Sequence, residues 1–317
     1  MTLFADTMTD DANDGLRIAV VICSVGRPEA LAQLLPWLTR QTKRASEILC
    51  VVTKPGDLPD QAILAAAQPA AQVLFSEKGL PRQRNRGLDA VLDRCDVVFF
   101  IDDDYLPARD ALIGIERAFM AFPDISGLTG ALLADGIHGA GVDLVSAAAM
   151  IEADEAERIG RDATPRALER DLVGLYGCNM AYRSARIGAL RFDERLPLYG
   201  WQEDVDFASR VPGEMIRTDA LRGVHCGVKS GRDTNGHLLG YSQVANVAYL
   251  MRKGSIPAGF GLRLIARNML ANHLKMLRPE PWVDRRARAS GNWMALGDLL
   301  HGRAAPERIL DFAARPR

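Results

Sequence analysis

Three consecutive carboxylates, Asp102, Asp103 and Asp104, stand directly after the apolar run Val97-Val98-Phe99-Phe100-Ile101. Such a run reads as a strand buried on both faces. Three adjacent anions at its end repel one another unless positive charge is brought to them. A hard divalent cation, Mn2+ or Mg2+, is the simplest neutraliser, and such ions in turn hold substrate phosphates. Far downstream, Glu203 and Asp204 form a second acidic pair within Gly200-Trp201-Gln202-Glu203-Asp204. A carboxylate beside a substrate hydroxyl can take its proton, and the same two acids also suit the first turn of a helix. Arg82, Arg84 and Arg86 crowd one turn, and the guanidinium fork matches phosphate oxygens. A solvated basic helix face accounts for Arg82 and Arg86 better than for Arg84. Lys229 and Arg232 lie on or beside a glycine-flanked loop, 227–231, which reads either as a cationic lid over a diphosphate or as an ordinary turn.

These groups need elements that bring them to one place. Strand-like segments at 17–23, 47–53, 72–75 and 96–101 alternate with helical segments at 28–41, 58–68 and 81–94. That alternation predicts βαβ units and a parallel sheet with right-handed crossovers. Ligands of such sheets bind outside the carboxyl ends of the strands, the edge shared by residues 24–27, 53–56 and 102–104. Further on, the pattern predicts a helix at 108–122, a strand at 126–133, an inserted helical loop within 134–170, and a strand at 178–182. A helix at 203–211 and a strand at 215–226 follow, and the chain is helical from 240 onward. The fold class expected is α/β: a mostly parallel central sheet flanked by helices, with a helical C-terminal extension at 239–317 and a disordered lead-in at 1–15.

Composition narrows the function classes. The 317 residues carry 39 Lys and Arg against 40 Asp and Glu, a net charge of −1 that argues against nucleic-acid partners. The charge is uneven: residues 251–317 hold 13 basic and 5 acidic residues. A basic end of this kind fits either a solvated surface or contact with an anionic membrane. Residues 261–277 have amphipathic helical spacing, with Leu262, Ile265, Ala266, Met269, Leu270 and Met276 assigned to one face and Arg263, Arg267 and Lys275 to another. Packing on the core and lying on a membrane are both compatible with that spacing. The five cysteines, Cys23, Cys50, Cys95, Cys178 and Cys226, form no CxxC pair. They read as small buried hydrophobes of a reducing compartment. No stretch reaches the ~20 apolar residues of a membrane span, so a cytoplasmic protein, peripheral at most, is expected.

Five segments in sequence order give the chain a family resemblance. IAVVICSVGRPEAL (18–31), GLPRQRNRGLDAV (79–91), VVFFIDDDYLP (97–107), GCNMAYRSA (177–185) and GWQEDVDFASRV (200–211) resemble the corresponding stretches of inverting glycosyltransferase family 2, which has the GT-A fold. The resemblance covers residues 17–250. It implies a catalytic domain at 16–238, with a nucleotide-binding half (16–133) and an acceptor half (134–238). It further implies that a nucleoside-diphosphate sugar gives its sugar to a saccharide or lipid-linked acceptor. Asp102 would face the ribose or the metal's shell and Asp104 the metal itself, with Asp103 able to exchange with either. His225 would complete the metal or diphosphate site, a role balanced against an ordinary structural histidine. Asp204 would be the general base, with Glu203 orienting it or the acceptor. Ser24, Val25, Arg27, Thr53, Arg84, Asn85 and Asn179 would line the donor with Lys229 and Arg232. Trp201, next to Gly200, would stack on the acceptor sugar or belong to the core.

Two departures from the family pattern concern the nucleotide. The second strand ends Val51-Val52-Thr53-Lys54 without the acid that commonly reads uracil, and Val25 replaces a common stacking Tyr. UDP remains favoured, with GDP and dTDP open. A haloacid-dehalogenase-type phosphatase also uses D-x-D, but after its first strand. A sugar-phosphate nucleotidyltransferase would need a Gly-rich basic loop where Ser24-Val25-Gly26-Arg27 stands. A non-catalytic sugar-nucleotide-binding protein would have no use for Glu203 and Asp204.

Overall fold

The computed structural model describes residues 15–160, 162–227 and 236–313. Its first half follows the alternation of the sequence: β1 (Ile18–Cys23), α1 (Pro28–Thr39), β2 (Glu47–Val52), α2 (Gln61–Ala66), β3 (Gln72–Phe75), α3 (Leu80–Val91) and β4 (Val97–Asp102). Proline near the amino end of α1 and of α3 starts each helix where a backbone N–H would have no partner. In α1, Leu31, Leu34, Leu35 and Leu38 are buried at helical spacing and press the helix on the sheet.

The second half runs β5 (Tyr105–Pro107), α4 (Ala111–Ala121), β6 (Ile125–Asp135), α5 (Leu144–Arg158), β7 (Ala167–Glu169), β8 (Asn179–Arg183), α6 (Ser184–Ile187), α7 (Glu203–Arg210) and β9 (Glu214–His225). The inserted region thus holds α5, capped by Asp143 accepting from Ser146 N at 2.9 Å, and the short β7. Four helices close the chain: α8 (Gly236–Lys253), α9 (Ala258–Lys275), α10 (Arg285–Leu300) and α11 (Ile309–Ala313).

The strands form one nine-stranded sheet in the order β3-β2-β1-β4-β8-β6-β9-β5, with β7 paired to β9. From β3 to β4 every pairing is parallel, whereas β8 runs antiparallel to both β4 and β6, so the sheet is mixed beyond β4. Alternation along β4 builds a core on each face. Val97, Phe99 and Ile101 pack with α1 and α4, and Val98 and Phe100 with α3, Tyr182, Phe192 and Phe207. Each such buried aromatic contributes ~2 kcal/mol of burial. The parallel register sets Cys23 beside Asp102, which brings the turn after β1 against the acidic triplet.

The helical part docks on the α7 side of the sheet. Trp201, Val173 and Val205 pack with Leu196, Val247, Leu250 and Ile256. Buried amides then tie three helices together: Asn272 Nδ2 donates to Gln243 Oε1 and Asn292 Oδ1, both at 2.9 Å, and Asn292 Nδ2 donates to the Gly240 carbonyl at 2.7 Å. No helix among the described residues is long and apolar enough to cross a membrane.

Candidate active site

The three acids of the triplet part ways, because β4 ends in a turn that sends the middle side chain to one side and the outer two to the other. Asp103 turns inward and is fully buried. It accepts from Ser24 Oγ at 2.6 Å and Arg27 Nε at 3.0 Å, and a second Arg27 nitrogen pairs with its other oxygen. Burial pushes the Asp103 carboxyl up, against the Arg27 charge, to about 7. Asp103 is therefore a clasp between the β1 turn and the β4 turn, joining two of the residues expected at the donor, Ser24 and Arg27.

Asp102 and Asp104 point the other way, toward His225 at the end of β9. His225 Nε2 lies 3.5 Å from Asp104 Oδ1 and 3.9 Å from Asp102 Oδ2, and one donor atom of each residue falls within 4.8 Å of the others. The strand β5, absent from the sequence-based expectation, makes this meeting possible by pairing Tyr105 with His225. On its other side His225 Nδ1 bonds Asp135 Oδ1 at 2.9 Å, and Tyr176 OH donates to Asp135 Oδ2 at 2.8 Å. Burial pulls the His225 pKa down, but its bonds to Asp104 and Asp135 raise it to about 10. Burial pushes Asp135 up, but His225 and Tyr176 hold it below the ordinary carboxylate range.

Two carboxylates and one imidazole in reach of one another are a fitting donor set for a divalent cation of the Mn2+ kind. The Asp102 side chain is 24% exposed, so one side of the cluster stays open to a further ligand. Asp135, holding the far nitrogen of the imidazole, is the orienting carboxylate that histidine ligands commonly have.

Arg84 joins this cluster to the second acidic pair. Its guanidinium is buried, pairs with Glu203, donates to the Gly177 carbonyl at 2.9 Å and lies 3.5 Å from Asp102 Oδ1. Phe100 and Phe192 stack near it at 5.9 and 5.5 Å. Glu203 and Asp204 open α7, reached through Gly200 at φ +63°, where a side chain would strain the turn and crowd Pro81. Asp204 Oδ2 accepts from Gly177 N and Oδ1 from Val205 N, both at 2.9 Å. A methyl group at Gly177 would come within 2.9 Å of Asp204 Oδ2, so glycine is what lets the two segments approach. Burial raises the Asp204 pKa, and burial raises Glu203 to about 8 even against the Arg84 charge.

The other expected site residues make the following contacts within the protein. Asn85 spends its amide on Phe192, accepting from its N at 2.7 Å and donating to its O at 3.0 Å, so it brackets a loop. Asn179 accepts from Thr129 Oγ1 at 2.5 Å and Gly130 N at 3.3 Å, stitching β8 to β6. Thr53 donates to Asp57 Oδ2 at 2.6 Å. The Trp201 ring, partly buried, packs in the cluster that docks the helical part. Val25 is half-buried in the turn between Ser24 and Gly26. Lys229 and Arg232 lie outside the described residues.

Sequence reading passed over four contributors. Asp57 gathers the backbone N–H groups of Gly26 (2.9 Å), Thr53 (3.0 Å) and Lys54 (3.2 Å), an acid just past the strand end that lacks the expected one. Gln83 Nε2 donates to the carbonyls of Ser24 (3.1 Å) and Val51 (2.8 Å) and ties the ends of β1 and β2. Asp135 and Tyr176 support His225, and they also line a cavity of about 370 Å³ with Thr129, Glu169 and Arg217.

With this geometry in view, comparisons with known proteins add the fold's relatives. No protein-family model matches the sequence, and no curated protein does. Among solved structures, residues 1–349 of TarS from S. aureus match with a TM-score of 0.55 at 15% identity, over 93% of this chain and 82% of that one. The chain thus shares the α/β fold of that structure. The mannosyltransferase PcManGT from Pyrobaculum calidifontis, solved with GDP-Man and Mn2+, matches with a TM-score of 0.51 at 15% identity, over 95% of this chain and 80% of that one. A longer TarS structure matches with a TM-score of 0.50 at 14% identity, and the chain covers 44% of it.

Proposed function

We propose that this chain is a metal-dependent, inverting glycosyltransferase of the family 2 kind. It would move a sugar from a nucleoside-diphosphate sugar to a hydroxyl of a saccharide or lipid-linked saccharide. The observation that carries the reading is Arg84, which bridges a cation-suited cluster (Asp102, Asp104, His225) to a raised-pKa carboxylate pair (Glu203, Asp204). Leaving-group stabilisation and proton removal are thereby side by side but separate. Asp102, Asp104 and His225 would hold a divalent cation, which when bound would supply positive charge for the departing diphosphate. Arg27 and Arg84 add fixed guanidinium charge at the same edge.

Asp204 takes the acceptor's hydroxyl proton as the acceptor oxygen bonds to the anomeric carbon and the bond to the diphosphate breaks on the opposite face. A carboxylate lifted by burial is a stronger base than one in water, which suits Asp204 to this step. Arg84 keeps Glu203 in place beside it. The cavity between Thr129, Asp135, Tyr176 and Arg217 adjoins the cluster and is the candidate sugar pocket.

A melting-temperature screen of UDP-, GDP- and dTDP-sugars with Mn2+ tests the reading, since a ligand of the folded state stabilises it. The expected result is stabilisation by one donor that disappears with chelator, together with slow release of its nucleoside diphosphate. Pyrophosphate release from a nucleoside triphosphate and a sugar phosphate would instead make the chain a nucleotidyltransferase. No response to any sugar nucleotide would remove the proposal.

A further inference from the structure

The outward side of α9 carries a surface that the proposed reaction does not use. Sequence spacing assigned Leu262 and Leu270 to the same face as Ile265 and Met269, but the helix divides them. Ile265 and Met269 turn inward onto α8 and α10, whereas Leu262, Leu270, Leu274 and Leu277 are 60, 60, 61 and 85% exposed. Arg263, Arg267 and Arg278 are exposed among them. None of the three pairs with a carboxylate among the described residues, and residues 258–279 contain no acid. Trp293 of α10, 60% exposed, borders this face: its Nε1 donates to His273 Nε2 at 2.8 Å, and His273 lies three residues from Leu270 and four from Leu277.

We infer that this face docks the protein on an anionic lipid surface. Four protruding leucines interleaved with arginines that pair with no carboxylate among the described residues, and edged by a tryptophan, match a boundary where hydrocarbon meets negative headgroups. The helix has 18 residues, about 27 Å of contact line parallel to such a plane. Pairing with a second copy is disfavoured by the same residues, because it would press arginines against a face that offers no acid. The inference stands independently of the proposed reaction.

Vesicle co-sedimentation of the full chain decides it. Binding is expected to phosphatidylglycerol–phosphatidylcholine vesicles, weakening as salt is added, and not to phosphatidylcholine alone. Leu270→Glu combined with Leu274→Glu should weaken binding about tenfold or more, and Arg263→Gln with Arg267→Gln should remove most of the salt dependence. Because these side chains point to solvent, both double variants should melt with the parent. Failure to bind anionic vesicles overturns the inference, as does unchanged binding by the leucine variant. A dimer that the leucine substitutions abolish, without vesicle binding, would assign the face to a second copy and overturn it equally.

Discussion

The donor edge and the α7 shoulder both keep acids away from water, and they solve the problem differently. At the donor edge the partners come from neighbouring strand ends. Asp57 collects three backbone N–H groups, Asp135 takes His225 and Tyr176, and both carboxyls are held low. Asp103 is the exception there, raised to about 7, and it serves as a clasp. At the shoulder, burial outweighs compensation. Glu203 is raised to about 8 and keeps one buried oxygen without a hydrogen bond among the described residues, and Asp204 is raised as well. In the first region partners hold Asp57 and Asp135 anionic, and in the second burial favours the protonated carboxyl; under the proposed reaction the one would sit beside a cation and the other would accept a proton.

That division is most directly broken at Asp204. Asp204→Asn should lower transfer by about a thousandfold, while Mn2+-dependent donor binding, followed by calorimetry, stays near wild type. Near-normal transfer would take the proton step away from the shoulder. On the other side, Asp135→Asn frees the far nitrogen of His225 and should weaken Mn2+ binding by about 10- to 100-fold. A metal titration that leaves affinity unchanged would show that the imidazole needs no such support.

The same division separates what the sequence displays from what it hides. β1 to β4 each announce themselves as apolar runs between helices, so the shared edge of Ser24, Arg27, Asp102 and Arg84 follows from parallel topology. The support of His225 does not, because Asp135 is 90 positions away and meets it through the parallel β6–β9 pairing. β5 and β7 have three residues each, too few to show a period of two. Asn85 and Asn179 occupy the expected segments, yet a motif cannot say which way an amide faces. Asp57 did carry a signal: an acid in Pro55-Gly56-Asp57 right after a strand is a turn residue that gathers backbone donors. For α9, spacing alone could not say which leucines the neighbouring helices would cover.

The shoulder also depends on the helical part, through a contact unlike any at the donor edge. Lys253 Nζ lies 2.7 Å from Asp206 Oδ1 and 2.6 Å from Asp193 Oδ2, and Ser255 Oγ donates to Asp206 at 2.5 Å. Asp206 is two residues from Asp204 on α7 and wholly buried. Lys253→Met would leave it Arg210 and Ser255, so the loss should be about 1.5–3 kcal/mol in chemical denaturation, short of the cost of orphaning a buried charge. Donor binding should hold while the acceptor KM rises. An equal loss of donor binding would mean that the two regions are not separately braced.

The smallest expected effect is at Asp57, where the donor edge can be tested by pH. Burial pushes this carboxyl up, but the Thr53 hydroxyl and the N–H groups of Thr53, Gly26 and Lys54 together hold it below its ordinary value. A depressed folded pKa contributes stability that is complete above the unfolded value of about 3.9 and is lost as pH falls through the folded one. Asp57→Asn should therefore cost about 1–2 kcal/mol near neutral pH, because an amide brings N–H to face N–H. The gap to the parent should close on acidification below about pH 4 as the parent's carboxylate takes up its proton. A gap that persists unchanged in acid would mean that shape, and not charge, is what Asp57 supplies to the turn after β1.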